Sequence, residues 1–336
     1  MIKSLKLTDF RNFKKKTLEF PDGTVVIVGP NASGKTNILE GLFLLSAGKS
    51  FKAKVEAEII KYEEDLAKVK GDNLEIMITR GSNGWPRKKM LVNGVGKRLI
   101  DFAGNFKVVL FGPWDLDLVT ESPSLRRKFL DTVLSQVDRE YRRSILSYEK
   151  GLRQRNRLLY RIREEGLSRS QLAFWNQLLI KNGDYISGRR GELTEFINSQ
   201  SSLNDQKFRI EYDKSAISAG RLEQYKEEEV AAATTLVGPH RDDFIFYEKK
   251  RNLASYGSRG EQRMAVLWLK LAELEFIEDN TGERPTLLLD DIFSELDHEH
   301  RDIVMELAKK QQTIITTADE HFIGKRMKLE KISLER

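Results

Sequence analysis

Between Gly29 and Thr36 the chain reads Gly-Pro-Asn-Ala-Ser-Gly-Lys-Thr, which fits GxxxxGK[ST], a pattern whose residue types suit the grip on a polyphosphate. Two glycines let the backbone curl so that successive amide N–H groups point inward, and a helix starting at the end of the loop adds its positive dipole end. Lys35 has the reach for β and γ phosphates, and Thr36 offers a hydroxyl to Mg2+. The candidate nucleotide-binding set is therefore Gly29, Pro30, Asn31, Ala32, Ser33, Gly34, Lys35, Thr36 and Asn37, with ATP and Mg2+ as cofactors. An ordinary glycine-rich turn would leave the Lys-Thr pair unexplained. A second group, Pro285-Thr-Leu-Leu-Leu-Asp-Asp291, reads as a buried parallel strand ending in two carboxylates. Asp290 is placed to hold Mg2+ and Asp291 to orient or deprotonate an attacking water, so Lys35 and Asp291 are the catalytic candidates. A third group, Tyr256-Gly-Ser-Arg-Gly-Glu-Gln262, opens a helix that is almost continuously apolar from Met264 to Ile277. Ser258 and Glu261 have capping-box spacing, and a capped helix start is also a second anion site. One fold does not easily aim both anion sites at a single nucleotide.

The surrounding elements must bring these groups together. Val25 to Val28 is a buried strand before the loop and Asn37 to Ala47 an apolar helix after it. Further strands are expected at Ile2 to Leu7, Thr17 to Phe20, Leu74 to Thr79, Lys89 to Val92 and Lys107 to Phe111, with a hairpin turn at Asn93-Gly94. From Pro123 to about Ser202 the pattern is helical, and Gly151, Gly166, Gly183, Gly188 and Gly191 are expected to interrupt it, which argues against a long coiled coil. A short strand at Phe208 to Tyr212 and a helical stretch from Arg221 to Thr235 follow. Strand and helix then alternate through Phe244 to Tyr247, a helix from Gly260, and strands at Thr286 to Leu289 and Thr313 to Thr317. The fold class is α/β, with a head formed by residues 1–120 and 236–336 and a mainly helical lobe, 121–235, inserted in it.

With 336 residues, 40% of them hydrophobic, the chain can bury one large core or two. It has no cysteine, which excludes disulfides, Cys-based zinc sites and iron–sulfur clusters. The N-terminus lacks an apolar signal core and no apolar run approaches the ~20 residues of a membrane span, so a cytoplasmic protein without a membrane partner is expected. The net charge of +6 is uneven: Glu121 to Glu165 carries twelve Lys or Arg against seven Asp or Glu. Arg153, Arg157 and Arg161, spaced i, i+4, i+8, form one stripe on a helix, suited to a DNA backbone or simply to solvent. His298 and His300 lie two apart and point in different directions on a helix, a poor metal pair.

In order and type these motifs resemble ABC-type ATPases, in which Ser258-Arg-Gly-Glu-Gln262 looks like the LSGGQ-type signature that binds the γ-phosphate held by the other subunit. Within that class the chain resembles the RecF family. The resemblance rests on Asp9-Phe-Arg-Asn-Phe13, Gly48-Lys-Ser-Phe51, Ser122-Pro-Ser-Leu-Arg-Arg-Lys-Phe-Leu-Asp131, Gly238-Pro-His-Arg-Asp-Asp243, Leu288-Leu-Asp-Asp-Ile-Phe-Ser-Glu-Leu-Asp297 and Thr313-Ile-Ile-Thr-Thr317. It implies an ABC-type head, a composite site with Ser258, Arg259, Gly260, Glu261 and Gln262 acting in trans, Arg11 and Asn12 beside the nucleotide, Asp297 in the loop after the carboxylates, and Thr317 at the switch position. It also implies an ATP-dependent homodimer, binding of double-stranded and gapped or single-stranded DNA, and RecR and RecO type mediator partners in recombinational repair. Departures are Trp114, where the family pattern Phe-x-Pro-Glu-Asp-Leu has Glu, and the lack of an identifiable Q-loop glutamine. Asp291 in place of the transporter Glu, and Thr317 in place of a switch His, imply slow hydrolysis. An SMC-like ATPase coupled to a nuclease, a transporter ATPase subunit and a small-molecule phosphoryl transferase are the competing readings; the last needs the loop but no signature.

Overall fold

The computed structural model describes residues 1–81, 85–200, 207–294, 296, 298–319 and 329–335. They form two compact units, Met1–Asp115 with Glu273–Arg336, and Leu116–Ala272.

The first unit begins with β1 (Ser4–Phe10), β2 (Phe13–Glu19), β3 (Thr24–Val28) and α1 (Lys35–Ala47). Next come β4 (Leu66–Gly71), β5 (Leu74–Thr79), β6 (Arg87–Val92), β7 (Val95–Lys97), α2 (Leu99–Phe102) and β8 (Val108–Phe111). Strands β2-β1-β4-β5-β6-β7 make an antiparallel sheet. Strict alternation aims Leu5, Leu7, Val69, Ile76 and Ile78 inward, while Lys6, Thr8, Lys68 and Lys70 take the opposite face. The turn at Asn93-Gly94 is present, with φ of 52° and 76° joining β6 to β7. β4, which the sequence reading omitted, is a half-polar strand, Leu-Ala-Lys-Val-Lys-Gly.

In the second unit α3 (Asp117–Thr120) and α4 (Pro123–Val137) lead into two 27-residue helices, α5 (Arg139–Glu165) and α6 (Ala173–Ser199). Then come β9 (Phe208–Asp213), α7 (Ala219–Gln224), α8 (Lys226–Ala232), β10 (Asp243–Glu248), β11 (Arg251–Asn252), α9 (Leu253–Tyr256) and α10 (Arg259–Thr281), whose residues from Glu273 count with the first unit. Two expectations are corrected here. The glycines do not break the long helices: Gly151, Gly183, Gly188 and Gly191 lie inside α5 and α6, and only Gly166, at φ 68°, ends one. A Cβ on Gly151 would stand 2.5 Å from Leu178 Cδ2, so this glycine lets α5 and α6 approach rather than stopping a helix. The lobe expected to end at residue 235 continues to Ala272, because β10 pairs antiparallel with β9 and β11 instead of joining the parallel sheet, and Trp268 and Lys270 of α10 pack on Phe208 and Phe129.

The chain returns through β12 (Thr286–Asp290), α11 (His298–Ala308), β13 (Thr313–Thr317) and β14 (Glu330–Ser333). With β3 and β8 they form an all-parallel sheet of order β14-β3-β13-β12-β8. Its inner strands are buried on both faces, and α1 shares one core with this sheet and the antiparallel one. The three strands that carry the candidate site residues thus end side by side.

The motif Gly238-Pro-His-Arg-Asp-Asp243 closes the second unit. His240 Nε2 donates to the Thr235 carbonyl at 3.0 Å, so Nδ1 accepts from the Tyr148 hydroxyl at 2.8 Å. Burial holds the imidazole pKa down, to about 4. Folded His240 thus stays neutral where the unfolded chain binds a proton, and stability is full above pH 6.5 and falls as pH drops from 6.5 toward 4. The loss sums to about 3 kcal/mol. His240→Gln should lower stability at neutral pH yet flatten the acid branch by that amount; urea midpoints across the window test it, and equal slopes in both proteins would refute it.

Candidate functional site

The loop 29–36 leaves the C-terminal end of β3 and turns into α1. Gly34 is the hinge: at φ 100° it occupies left-handed backbone, and a Cβ there would lie 2.5 Å from Phe13 Cζ and 2.7 Å from Asn12 Nδ2. The buried Ser33 Oγ has no hydrogen-bond partner among the described residues. Lys35 Nζ donates to the Gly29 carbonyl at 2.6 Å and the Pro30 carbonyl at 3.0 Å, curled across its own loop. Burial lowers its pKa, with Asp291 and Asp290 pulling the other way. An orphaned donor, a left-handed glycine and a desolvated lysine fit the polyphosphate of a nucleotide.

Register brings the second group alongside. β13 lies between β3 and β12, pairing Ile27 with Thr316 and Thr316 with Asp290. Asp290, 3% exposed, accepts from Thr36 Oγ1 at 3.1 Å and from Thr316 Oγ1 at 2.5 Å. Two hard oxygen ligands at the mouth of a phosphate loop suit Mg2+, which takes few protein ligands beside phosphate and water. Among the described residues there is no cluster of three or more metal-ligating side chains. Asp291 adopts φ 49°, and its N–H is held by the Thr316 carbonyl at 3.0 Å, so the backbone turns sharply after Asp290. Thr317 ends β13; its hydroxyl donates to the Asp319 carbonyl at 3.0 Å, and its own carbonyl accepts from the Gly29 N–H at 3.4 Å. Asp297 and His321 lie outside the described residues.

Arg11 and Asn12 stand next to the loop. Asn12 Nδ2 donates to the Ser33 carbonyl at 3.3 Å, and its Oδ1 accepts from Asn37 at 2.9 Å. Arg11, at φ 53°, grips Glu40 with two hydrogen bonds of 2.6 and 2.8 Å. Glu40 is fully buried and also accepts from Ser50 Oγ at 2.5 Å, tying Asp9-Phe-Arg-Asn-Phe13 and Gly48-Lys-Ser-Phe51 to α1. Glu40 is not among the expected site residues, although a lone carboxylate in the apolar run Asn-Ile-Leu-Glu-Gly-Leu-Phe-Leu-Leu is a visible signal. Trp114 stacks on Phe51 with ring centroids 5.0 Å apart and planes 26° apart, so where the family pattern has Glu this chain has an aromatic contact.

In the second unit the capping box is realised. Ser258 N–H donates to Glu261 Oε2 at 2.7 Å, and Glu261 N–H donates to Ser258 Oγ at 3.3 Å. Arg251 fixes Glu261 from outside at 2.6 Å, and Gln262 Nε2 donates back to the Leu253 carbonyl at 2.9 Å. Ser258, Arg259 and Gly260 are exposed. On α5, Arg153 and Arg157 are exposed without a partner among the described residues, whereas Arg161 pairs with Glu165 at 2.9 Å.

Residues 1–107 match the family described as RecF/RecN/SMC N terminal domain. The DNA replication and repair protein RecF of Herpetosiphon aurantiacus is 36% identical, over 95% of this chain and 93% of its own length. That of Lachnoclostridium phytofermentans is 35% identical over 99% and 97%. The solved structure of the recombination mediator protein RecF-ATPrS in the RecFOR pathway superposes with a TM-score of 0.89 at 32% identity, covering 100% of this chain and 96% of that one. The Smc head domain of Pyrococcus furiosus, bound to the C-terminal domain of ScpA, superposes at 0.53 with 17% identity over 99% of this chain and 94% of that one, a likeness of fold alone. The architecture is that of an ABC-type ATPase head with a mainly helical insertion.

Arg11 and Glu40 form a buried pair, with side chains 15% and 0% exposed. Arg11→Met strands the carboxylate, and denaturant unfolding should show a loss of about 3–5 kcal/mol. Adding Glu40→Leu should recover most of it. A single variant as stable as the parent would show that the pair does not organise the loop.

Proposed function

The chain belongs to the RecF family of DNA replication and repair proteins, and from that membership we propose that it is an ATP-dependent DNA-binding switch that dimerises on ATP and assists recombinase loading at single-strand gaps. The observation that carries this reading is the 3.1 Å hydrogen bond between Thr36 and Asp290, which joins the phosphate loop to the carboxylate pair.

In this reading Gly29, Pro30, Asn31, Ala32, Ser33, Gly34, Lys35, Thr36 and Asn37 wrap the phosphates, with Arg11 and Asn12 flanking them. Lys35 exchanges its two loop carbonyls for phosphate oxygens, which restores the solvation that burial removes. Thr36 and Asp290 would hold Mg2+, which would neutralise phosphate charge there. Asp291 orients the attacking water and accepts its proton. An Asp reaches less far than the Glu of transporters, and that agrees with a weak, switch-like ATPase. Ser258, Arg259, Gly260, Glu261 and Gln262 close on the nucleotide of a second copy, with Asp297 and Thr317 reporting the phosphate state. RecR and RecO type proteins are the proposed mediator partners, and Arg153 and Arg157 are one proposed contact for duplex or gapped DNA.

Two experiments test the site. Lys35→Met should weaken ATP binding or abolish hydrolysis, whereas Asp291→Asn should bind ATP normally and fail to turn it over; equal loss of affinity in both variants would remove Asp291 from the catalytic role. Ser258→Arg should leave the monomer's ATP affinity nearly intact and abolish ATP-induced dimerisation in sedimentation, since it forces bulk and charge into the facing site. A variant that still dimerises with ATP would refute the composite site.

A further inference from the structure

The outer face of the antiparallel sheet in the first unit carries a charge pattern that the nucleotide site does not use. Its in-register positions bring together Lys6, Lys15, Lys68, Lys70, Arg87 and Lys89. Among the described residues three carboxylates meet that face: Glu75, opposite Lys70 and engaged by Lys68 at 2.8 Å, Glu19, opposite Ser4 near one corner, and Asp72, which accepts from Ser4 Oγ at 3.1 Å at the same corner. Lys6, Lys15, Lys70, Arg87 and Lys89 are exposed and have no ion pair among the described residues. Lys6 and Lys70 sit directly opposite one another across β1 and β4. Like charges in that position destabilise a sheet, and a face serving only solubility would intersperse both signs. The repulsion is relieved when a polyanion lies on the face.

We propose that this sheet face is a sequence-independent contact for the backbone of duplex DNA. The row Lys15–Thr8–Lys68–Met77–Lys89 runs across five strands in register and so spans ~19 Å, over half a turn of duplex. Lys68 and Lys70 follow each other at ~7 Å along β4, so the cations form a grid rather than a line. Thr8 and Thr17 place exposed hydroxyls between them. The in-register aromatic pair, Phe10 and Phe13, packs against the core, so the outward-facing in-register positions carry no stacking platform of the kind that unstacked single-strand bases need. A rigid double-stranded phosphate backbone is the ligand these features fit. The contact rests on the DNA-binding reading above and is independent of the stripe on α5.

The test uses the full chain and a fluorescein-labelled blunt duplex, with anisotropy titrations over a range of salt. The variant Lys6→Gln, Lys15→Gln, Lys70→Gln, Lys89→Gln should make the slope of log K against log[salt] shallower by roughly 3–4 units. ATP affinity should be unchanged, and the melting temperature no lower than that of the parent, since the Lys6–Lys70 repulsion is gone. If the fourfold variant melts early, Lys15→Gln with Lys89→Gln should still remove roughly 2 units. A parental slope in these variants overturns the proposal, and more so if Arg153→Ala, Arg157→Ala, Arg161→Ala lowers it instead. A variant that keeps its duplex affinity and loses affinity for polyglutamate would assign the face to an acidic protein, which also overturns it. Failure of the unaltered chain to bind duplex in a salt-dependent way would instead sink the functional reading itself, and is seen before any variant is made.

Discussion

The hydrogen bond between Thr36 and Asp290 joins residues 254 apart in the chain, and it exists only because of strand register. β13 separates β3 from β12, and parallel pairing sets Ile27, Thr316 and Asp290 in one row. Since side chains alternate with a period of two, a slip of one residue in β13 would turn Thr316 Oγ1 away from Asp290 and break the link between loop and carboxylates. The sheet also sets which end carries chemistry: loop 29–36, Asp290 and Thr317 all lie at the C-terminal ends of parallel strands, where such folds bind their ligands. At the opposite ends Gln312 uses its whole amide, donating to the carbonyls of Ile2 and Pro21 and accepting from Ile2 N–H and Thr286 Oγ1. The register is thereby pinned to the start of the antiparallel sheet.

The second unit is pinned differently, by buried charge. Arg190 is 1% exposed and donates to Asp242 at 2.9 Å, to Asp131 at 2.8 Å and to the Pro239 carbonyl at 2.7 Å. Asp242 also accepts from Tyr212, from Ser187 and from the Ser215 N–H. Arg126 forks onto Asp243, while Arg127 donates to the Asp242 carbonyl. Such a knot costs desolvation and adds little net stability, but removing one member leaves a buried charge unpaired. It therefore acts as a lock on one arrangement of α4, α6 and β10. The stretches Ser122–Asp131 and Gly238–Asp243, separate in sequence, are the two halves of this lock.

How much of this was legible follows from what each residue responds to. The turn 29–36 into α1 and the strand Thr286 to Leu289 were readable because local pattern fixes them: an apolar run, then a turn whose glycines sit at set spacing. β5 and β13 were read to the residue for the same reason. β4 was not, since Lys68 and Lys70 dilute its pattern and only pairing with β1 makes it a strand. The identity of β10's partner was equally out of reach, because Asp-Phe-Ile-Phe-Tyr-Glu reads alike in parallel and antiparallel sheets. Gly151 misled for the complementary reason: its value is a close contact with Leu178, invisible without the partner helix. Glu40 and Arg11 are 29 residues apart, and nothing in either stretch names the other.

The helix start at Ser258 shows why the bland and the functional readings of a motif need not compete. The capping box meets the helix's own needs: Ser258 Oγ accepts from Glu261 N–H, Glu261 accepts from Ser258 N–H, and the Ser258 carbonyl accepts from Gln262 N–H. That leaves the N–H groups of Arg259 and Gly260, with no acceptor among the described residues, and the Ser258 hydroxyl proton, which the cap does not use. All lie at the positive end of a 23-residue helix and all are exposed. Glu261 is an adverse charge in the first turn, and Arg251 draws it aside. A cap therefore builds the anion-accepting end by satisfying only part of the first turn, and the signature reading asks for nothing beyond what the cap leaves over.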